Sequence, residues 1–245
     1  MEMSLTAILL VCGVALLSSF IHGLVGMGYG IFAMGITALF LPYASTAAIV
    51  SVQLLLLTAQ MAFTFRQHID WKIVLIPCTV MCLGKVLGVV ILMNVSGNLM
   101  KFFLGGMLLL LSVNGLYIKN EKLMIKGSKA EAVAFPLVGG LFGGLFNVAG
   151  PATALFFQAA CKGDTRKYSA SMNFSFVPSA AIGVAMHAFY GNFNIPVLQA
   201  GVLSLAGVAI GACLGVRIFV KIDAERFTKI TFAFIGLVGI LICIT

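Results

Sequence analysis

Apolar residues occur in ten long runs, and short polar or glycine-rich joints separate each run from the next. The runs lie at about 3–21, 28–41, 46–65, 73–93, 99–118, 132–147, 149–161, 168–190, 196–216 and 227–244. Most of them approach the roughly 20 residues that an α-helix needs to cross a bilayer. The pattern therefore predicts an all-α polytopic membrane protein.

Lysine and arginine are unevenly distributed among the joints. The joints at 66–72, 119–129, 162–167 and 217–229 are basic, whereas those at 42–45, 94–98 and 191–195 carry no Lys or Arg. Because cytoplasmic loops are enriched in these two residues, the basic joints are predicted to be cytoplasmic and the others external. This orientation predicts a multi-pass protein of the inner cell membrane with both termini external.

The predicted orientation divides the chain into an N-terminal transmembrane repeat (1–118), a basic cytoplasmic linker (119–131) and a C-terminal transmembrane repeat (132–245). The last three runs of each repeat cross the membrane in opposite senses. Each repeat also begins with two runs that must start and finish on one side. We therefore expect a broken or re-entrant helix pair, followed by three transmembrane helices, in each of two inverted-topology repeats.

Weak internal similarity supports the same division. The stretch 23–30 (GLVGMGYG) aligns with 144–151 (GLFNVAGP) at an offset of 121 residues. The glycines of 84–88 align with those of 211–215 at an offset of 127 residues. Inverted repeats are the plan of many secondary transporters, in which broken helices form the substrate site near the membrane midplane.

Composition excludes several other classes of protein. Of the 245 residues, 61% are hydrophobic and only 9% are charged, so a soluble domain is excluded. The net charge of +8 is assigned to membrane orientation rather than to nucleic-acid binding. Cys78 and Cys82 share a helix face, yet buried cysteines usually act as small hydrophobic residues. No motif of an enzyme, a metal site or a cofactor site occurs, so none of the three is predicted.

The two glycine-rich turns are the predicted centre of a substrate site. Helices that begin at these turns would aim unpaired N–H groups and positive dipole ends at one region, which suits an anion. The alternative is close helix packing through small residues, to which the glycines of 84–88 and 211–215 are assigned. The candidate binding residues in the turns are Gly26, Gly28, Gly30, Asn147, Gly150 and Pro151.

Lys85 is a basic residue deep inside an apolar run, and no acidic residue occupies the interior of any run. A buried cation without a carboxylate partner marks a functional site, and an anionic substrate would be a suitable partner. The alternative is a side chain that extends to the membrane surface or binds backbone carbonyls.

Five further polar residues lie within or beside apolar runs. Gln53, Ser169 and Asn173 are neutral groups suited to an oxyanion, and they are equally suited to hydrogen bonds between helices. His22 and His187 are proton-relay candidates because imidazole titrates near neutral pH, and they too could join helices.

The residues 23–30, 140–151 and 166–173 carry a resemblance to a known family. With its two halves, each opening on a glycine-rich stretch, the chain resembles the TauE/SafE sulfite-exporter family, also called the TSUP family. That resemblance extends over the whole chain. It implies export of sulfite, organosulfonates or related small oxoanions.

The sequence thus predicts a secondary transporter that exports small sulfur-containing oxoanions in a proton-linked manner, with the substrate or His22 carrying the proton. The alternatives are an importer of another small anion or sulfur compound, a metal-ion permease, and an intramembrane enzyme or assembly factor. The predicted partners are a small anion and the lipid bilayer. A homodimer is left open.

Overall fold

The structure is a computed structural model that describes residues 3–117, 125–218 and 224–244. The α-helices of these ranges are α1 (Leu5–Val25), α2 (Tyr29–Thr37), α3 (Tyr43–Thr64), α4 (Trp71–Asn94), α5 (Gly97–Tyr117), α6 (Lys129–Phe146), α7 (Gly150–Ala160), α8 (Thr165–Phe189), α9 (Ile195–Ile218) and α10 (Ala224–Ile244). A short 3-10 helix occupies Arg66–His68. No strand occurs in the described ranges, and the all-α prediction is confirmed.

Six of these helices are long and apolar enough to cross a membrane, namely α1, α3, α4, α6, α8 and α9. The apolar stretches Gly97–Val113 of α5 and Ile235–Ile244 of α10 are shorter. Large apolar side chains cover the outside of the bundle, and Leu5, Leu110 and Ile195 are each more than 70% exposed. Such a surface suits contact with lipid, so the chain is a multi-pass membrane protein.

Two short helices each follow a long one. The nine residues of α2 and the eleven of α7 give lengths of about 14 and 17 Å at 1.5 Å per residue. Both are about half of the roughly 30 Å hydrocarbon thickness. Within the apolar run 28–41, α2 ends at Thr37. Pro42 is the N-cap of α3 and disfavours helical backbone at Leu41, so α2 and α3 cannot merge into one helix.

Polar caps set the start of three long helices. Ser128 and Glu131 form a capping box, so α6 begins at Lys129 rather than at 132 as the hydrophobic pattern suggests. Asp70 and Asp164 cap α4 and α8 through the side chain alone, Asp70 accepting from the N–H of Lys72 and Asp164 from those of Arg166 and Lys167. The first part of the predicted linker, 119–124, lies outside the described residues.

Glycines allow α4 to lie directly against α6. A Cβ added at Gly84 or Gly88 would strike the α6 backbone, where the nearest atoms are the carbonyl oxygens of Leu137 and Leu141. In lipid, helix association depends on such van der Waals contact, because lipid tails are as apolar as the side chains. The assignment of these glycines to packing agrees with the structure.

The helices α9 and α1 repeat this arrangement. A Cβ added at Gly211 or Gly215 would strike the carbonyl oxygens of Leu16 and Phe20 in α1. These two residues and the two acceptors in α6 are separated by the same offset of 121 that relates the glycine-rich stretches. The two contacts therefore occupy equivalent positions in the two predicted repeats. Their inverted orientation in the membrane stays a prediction.

An ion pair joins the beginnings of α4 and α8. The Lys167 ammonium lies 2.6 Å from the Asp70 carboxylate, and Lys167 together with the backbone N–H of Lys72 lowers the pKa of Asp70. The pair lies at joints that the charge distribution predicts to be cytoplasmic. It therefore ties two central helices together at that end of the bundle.

We expect single cysteines at the two kinds of joint to label from opposite faces. In a background without the six native cysteines, the Asn94→Cys variant should react with a membrane-impermeant maleimide added outside intact cells. The Lys126→Cys variant should react only after permeabilisation. Reaction of both variants from outside would contradict the inverted orientation.

Candidate functional site

The two glycine-rich turns meet in the structure. Gly26 and Gly28 have φ angles of 81° and 105°, in the left-handed region that favours glycine. They end α1 and begin α2. A Cβ added at Gly30 would strike the carbonyl of Asn147, and one added at Gly150 would lie 3.4 Å from Met27 Cβ. The N-termini of α2 and α7 therefore lie beside each other.

A cavity of about 40 Å³ lies between these two helix N-termini. A space of about 10–15 Å³ already accommodates one water molecule, so this cavity accepts a small ion or a few waters. Its lining includes the predicted site residues His22, Gly28, Gly30, Lys85, Asn147, Gly150 and Pro151. Residues that the sequence analysis did not single out also line it, among them Tyr29, Thr58, Gly143, Phe176 and Ser179.

Lys85 places its amine inside the protein. The residue is 3% exposed, and Nζ donates to the carbonyl oxygen of Gly143 at 2.7 Å and to Oδ1 of Asn147 at 2.8 Å. It forms no ion pair with any carboxylate of the described ranges. A lysine ammonium has three donors, so one N–H remains beyond these two bonds. The side chain therefore does not extend to the membrane surface, and its bond to the Gly143 carbonyl matches the other form of the alternative, a lysine held by backbone carbonyls.

Asn147 joins three helices around this amine. Its Oδ1 accepts from Lys85 and lies 3.1 Å from the Ser51 hydroxyl, while its Nδ2 donates to the Ala47 carbonyl oxygen at 2.9 Å. The residue ends α6 with a φ of 54°, a left-handed conformation that asparagine tolerates better than most residues. Both ends of the amide are engaged, so Asn147 positions the amine.

Gly183 of α8 provides the space that the amine occupies. A Cβ at this position would lie 2.5 Å from Lys85 Cε, 3.0 Å from Lys85 Nζ and 3.4 Å from Ser51 Oγ. The atoms in conflict belong to the mobile end of a side chain rather than to backbone. A larger residue here would therefore displace the amine more readily than it would separate the helices.

His22 lines the cavity with both ring nitrogens paired. Its Nε2 lies 3.1 Å from Asn173 Oδ1, and its Nδ1 accepts from the backbone N–H of Tyr29 at 3.4 Å. Asn173 donates in turn to the Ser169 carbonyl oxygen at 2.9 Å. These contacts join α1 to α8 and support the start of α2. They favour the helix-joining alternative for His22 and Asn173, whereas the contact between Asn173 and Ser169 lies within α8.

Gln53 is also engaged outside the cavity, because Oε1 accepts from the Tyr29 hydroxyl at 2.8 Å and Nε2 donates to Ser204 Oγ at 2.7 Å. Gly26 caps α1 through its backbone N–H. The predicted site residues that do not line the cavity are Gly26, Gln53, Ser169, Asn173 and His187. The binding and relay roles of all the predicted residues stay predictions.

In the described ranges, no group of three or more His, Cys, Asp or Glu side chains lies together as a metal site would require. Cys78 and Cys82 are both partly exposed, unoxidised thiols.

Comparison with known proteins gives a consistent result. The family model "Sulfite exporter TauE/SafE" matches residues 11–242. A protein of Cupriavidus necator, described as a "Probable sulfite/organosulfonate exporter TauE", is 25% identical over 198 residues, which cover 78% of this chain and 76% of the relative. No solved structure matches the chain. Since the family model spans nearly all of the described helices, this chain belongs to the TauE/SafE sulfite exporter family of membrane transporters.

Proposed function

We propose that this protein exports sulfite or small organosulfonates across the inner membrane and binds the anion at Lys85. The observation that carries the proposal is the buried amine of Lys85, held by neutral oxygens beside the cavity. A buried cation is costly in lipid unless it is paired. An anion in the cavity supplies the missing charge. Export and the sulfur oxoanion class rest on the family and on the name of the relative.

The surrounding backbone favours the same class of cargo. The helices α2 and α7 both begin at the cavity, so the positive ends of both helix dipoles point to it. The N–H of Tyr29 at the start of α2 already donates to His22, and Pro151 in the first turn of α7 has no N–H. Two positive dipole ends and one ammonium make the region attractive to an oxoanion and repulsive to a metal cation.

We further propose that the substrate carries the proton. Apart from Glu131 in the first turn of α6, none of the six long spans of the described ranges contains an acidic residue. Both nitrogens of His22 are already paired. A weak acid that titrates near neutrality, such as hydrogen sulfite, needs no relay from the protein.

Replacing Lys85 should weaken anion binding without unfolding the protein. The Lys85→Met variant should raise the KM for sulfite by about 10- to 100-fold, the value of one hydrogen bond to a charged group. The Lys85→Arg variant keeps the charge with a different shape and should retain part of the activity. The KM of both variants is measured from the flux of sulfite into proteoliposomes. Normal transport by Lys85→Met would exclude the amine from the site.

Gly183 should act on transport through Lys85. Displacing the amine in the Gly183→Ala variant should raise the KM for sulfite by about 3- to 10-fold, roughly the value of one hydrogen bond. In the Lys85→Met background, Gly183→Ala should change the KM very little further, because the amine that it would displace is absent. The control is Gly201→Ala in α9, where a Cβ would meet only Val52 Cβ, at 4.0 Å. Additive effects of Gly183→Ala and Lys85→Met would contradict this coupling.

A pH gradient should concentrate sulfite but not a sulfonate that stays ionised, such as methanesulfonate. One proton per substrate corresponds to about a tenfold gradient for each pH unit. The His22→Gln variant should respond like the wild type, and protein-free liposomes correct for passive leakage. Uphill movement of methanesulfonate, or loss of the response in His22→Gln, would show that the protein carries the proton.

A further inference from the structure

Small and polar residues recur every fourth position along one face of α8. The members of this stripe are Ser171, Ser175, Ser179, Gly183 and His187, and all five are buried. Its inner end lies at the Asp70–Lys167 pair, since the Asp70 N–H donates to the Ser171 hydroxyl at 3.4 Å. The middle borders the cavity at Ser179 and the Lys85 amine at Gly183. His187 is its outer end, next to a joint that is predicted to be external.

The imidazole of His187 has a donor that nothing in the described ranges uses. The residue is 0% exposed, and its Nδ1 lies 3.0 Å from Nδ2 of Asn192. Nδ2 of Asn192 also donates to Met93 Sδ at 3.2 Å, which supports this orientation of the amide. Since Nδ1 accepts from an amide N–H, a neutral ring carries its proton on Nε2. Nε2 has no hydrogen-bond partner among the described residues.

A buried N–H without an acceptor costs free energy, and such groups are rare in folded proteins. Its position is informative, because His187 lies one helical turn beyond the glycine that contacts the Lys85 amine. An oxoanion is an acceptor-only partner, and it would satisfy the free N–H without requiring a charge on the ring.

We propose that His187 Nε2 forms a second anion position, which receives the sulfur oxoanion on the outer side of Lys85. As the anion moves outward along α8, it leaves the Lys85 ammonium and accepts a hydrogen bond from the His187 N–H. His187 acts here as a neutral hydrogen-bond donor and not as a proton relay. This assignment rests on the proposed function, because it takes Lys85 as the first anion position.

Three substitutions of His187 distinguish a hydrogen-bond donor from a proton relay. Gln places an amide N–H near the position of Nε2, Asn places one only near Nδ1, and Leu has no donor. The measured quantities are the KM for sulfite at the inner face and the inhibition of export by sulfite added at the outer face. Both are measured in proteoliposomes whose orientation is established by labelling the Asn94→Cys site.

For His187→Leu and His187→Asn, we expect outer-face inhibition to need about 10- to 100-fold more sulfite, the value of one hydrogen bond to a charged group. The inner-face KM should change less than twofold, and His187→Gln should resemble the wild type. Wild-type inhibition in all three variants would overturn the proposal. Equal impairment in all three, Gln included, would also overturn it and would favour a relay or a packing role.

The outcome is distinguishable from a failure of the proposed function. Normal export by Lys85→Met would remove the first anion position, whatever the His187 series shows. If Lys85→Met raises the inner-face KM and the His187 series leaves outer inhibition unchanged, only the second position fails. Should His187→Leu not fold, the comparison of Asn with Gln still decides, because both are polar and smaller than the ring.

Discussion

Direct backbone contact between α4 and α6 determines where the buried charge lies. Gly84 and Gly88 bring the two helices together, and Lys85 lies between them in sequence. Its amine therefore reaches the Gly143 carbonyl and the Asn147 side chain at the end of the same partner helix. A methyl group at either glycine would push α6 away and lengthen both bonds. The packing glycines and the binding lysine consequently form one structural unit.

The same contacts constrain how the cavity can open. Each tightly packed pair takes one helix from each predicted repeat, since α1 lies on α9 and α4 lies on α6. Moving one repeat against the other as a rigid body would break backbone contacts in both pairs. By contrast, α3 and α8 meet beside the cavity, near Ser51 and Gly183, where the side chains are small. Rearrangement between the two pairs disturbs less packing than separation of the repeats.

Much of this organisation could be predicted from the sequence, because lipid imposes simple rules on composition. Apolar runs predict the helices, the paired glycine turns predict the short helices α2 and α7, and the isolated charge of Lys85 predicts its burial. The partners of polar side chains could not be predicted in the same way. Gln53 faces Tyr29 and Ser204 rather than the cavity, because its direction depends on how α3 rotates against α9. Gly183 lacks any side chain that would reveal its contact with the lysine.

The pairing of α1 with α9 also has a consequence for biosynthesis. The surface of α1 at Leu16, Phe20 and Gly23 fits the α9 glycines, which are translated a little over 190 residues later. At about 5–20 residues per second, this delay is roughly 10–40 seconds. During that time α1 stands in the bilayer without its partner, whereas α4 meets α6 soon after its own insertion. Assembly of the bundle therefore starts between neighbouring helices in the middle of the chain and reaches α1 late.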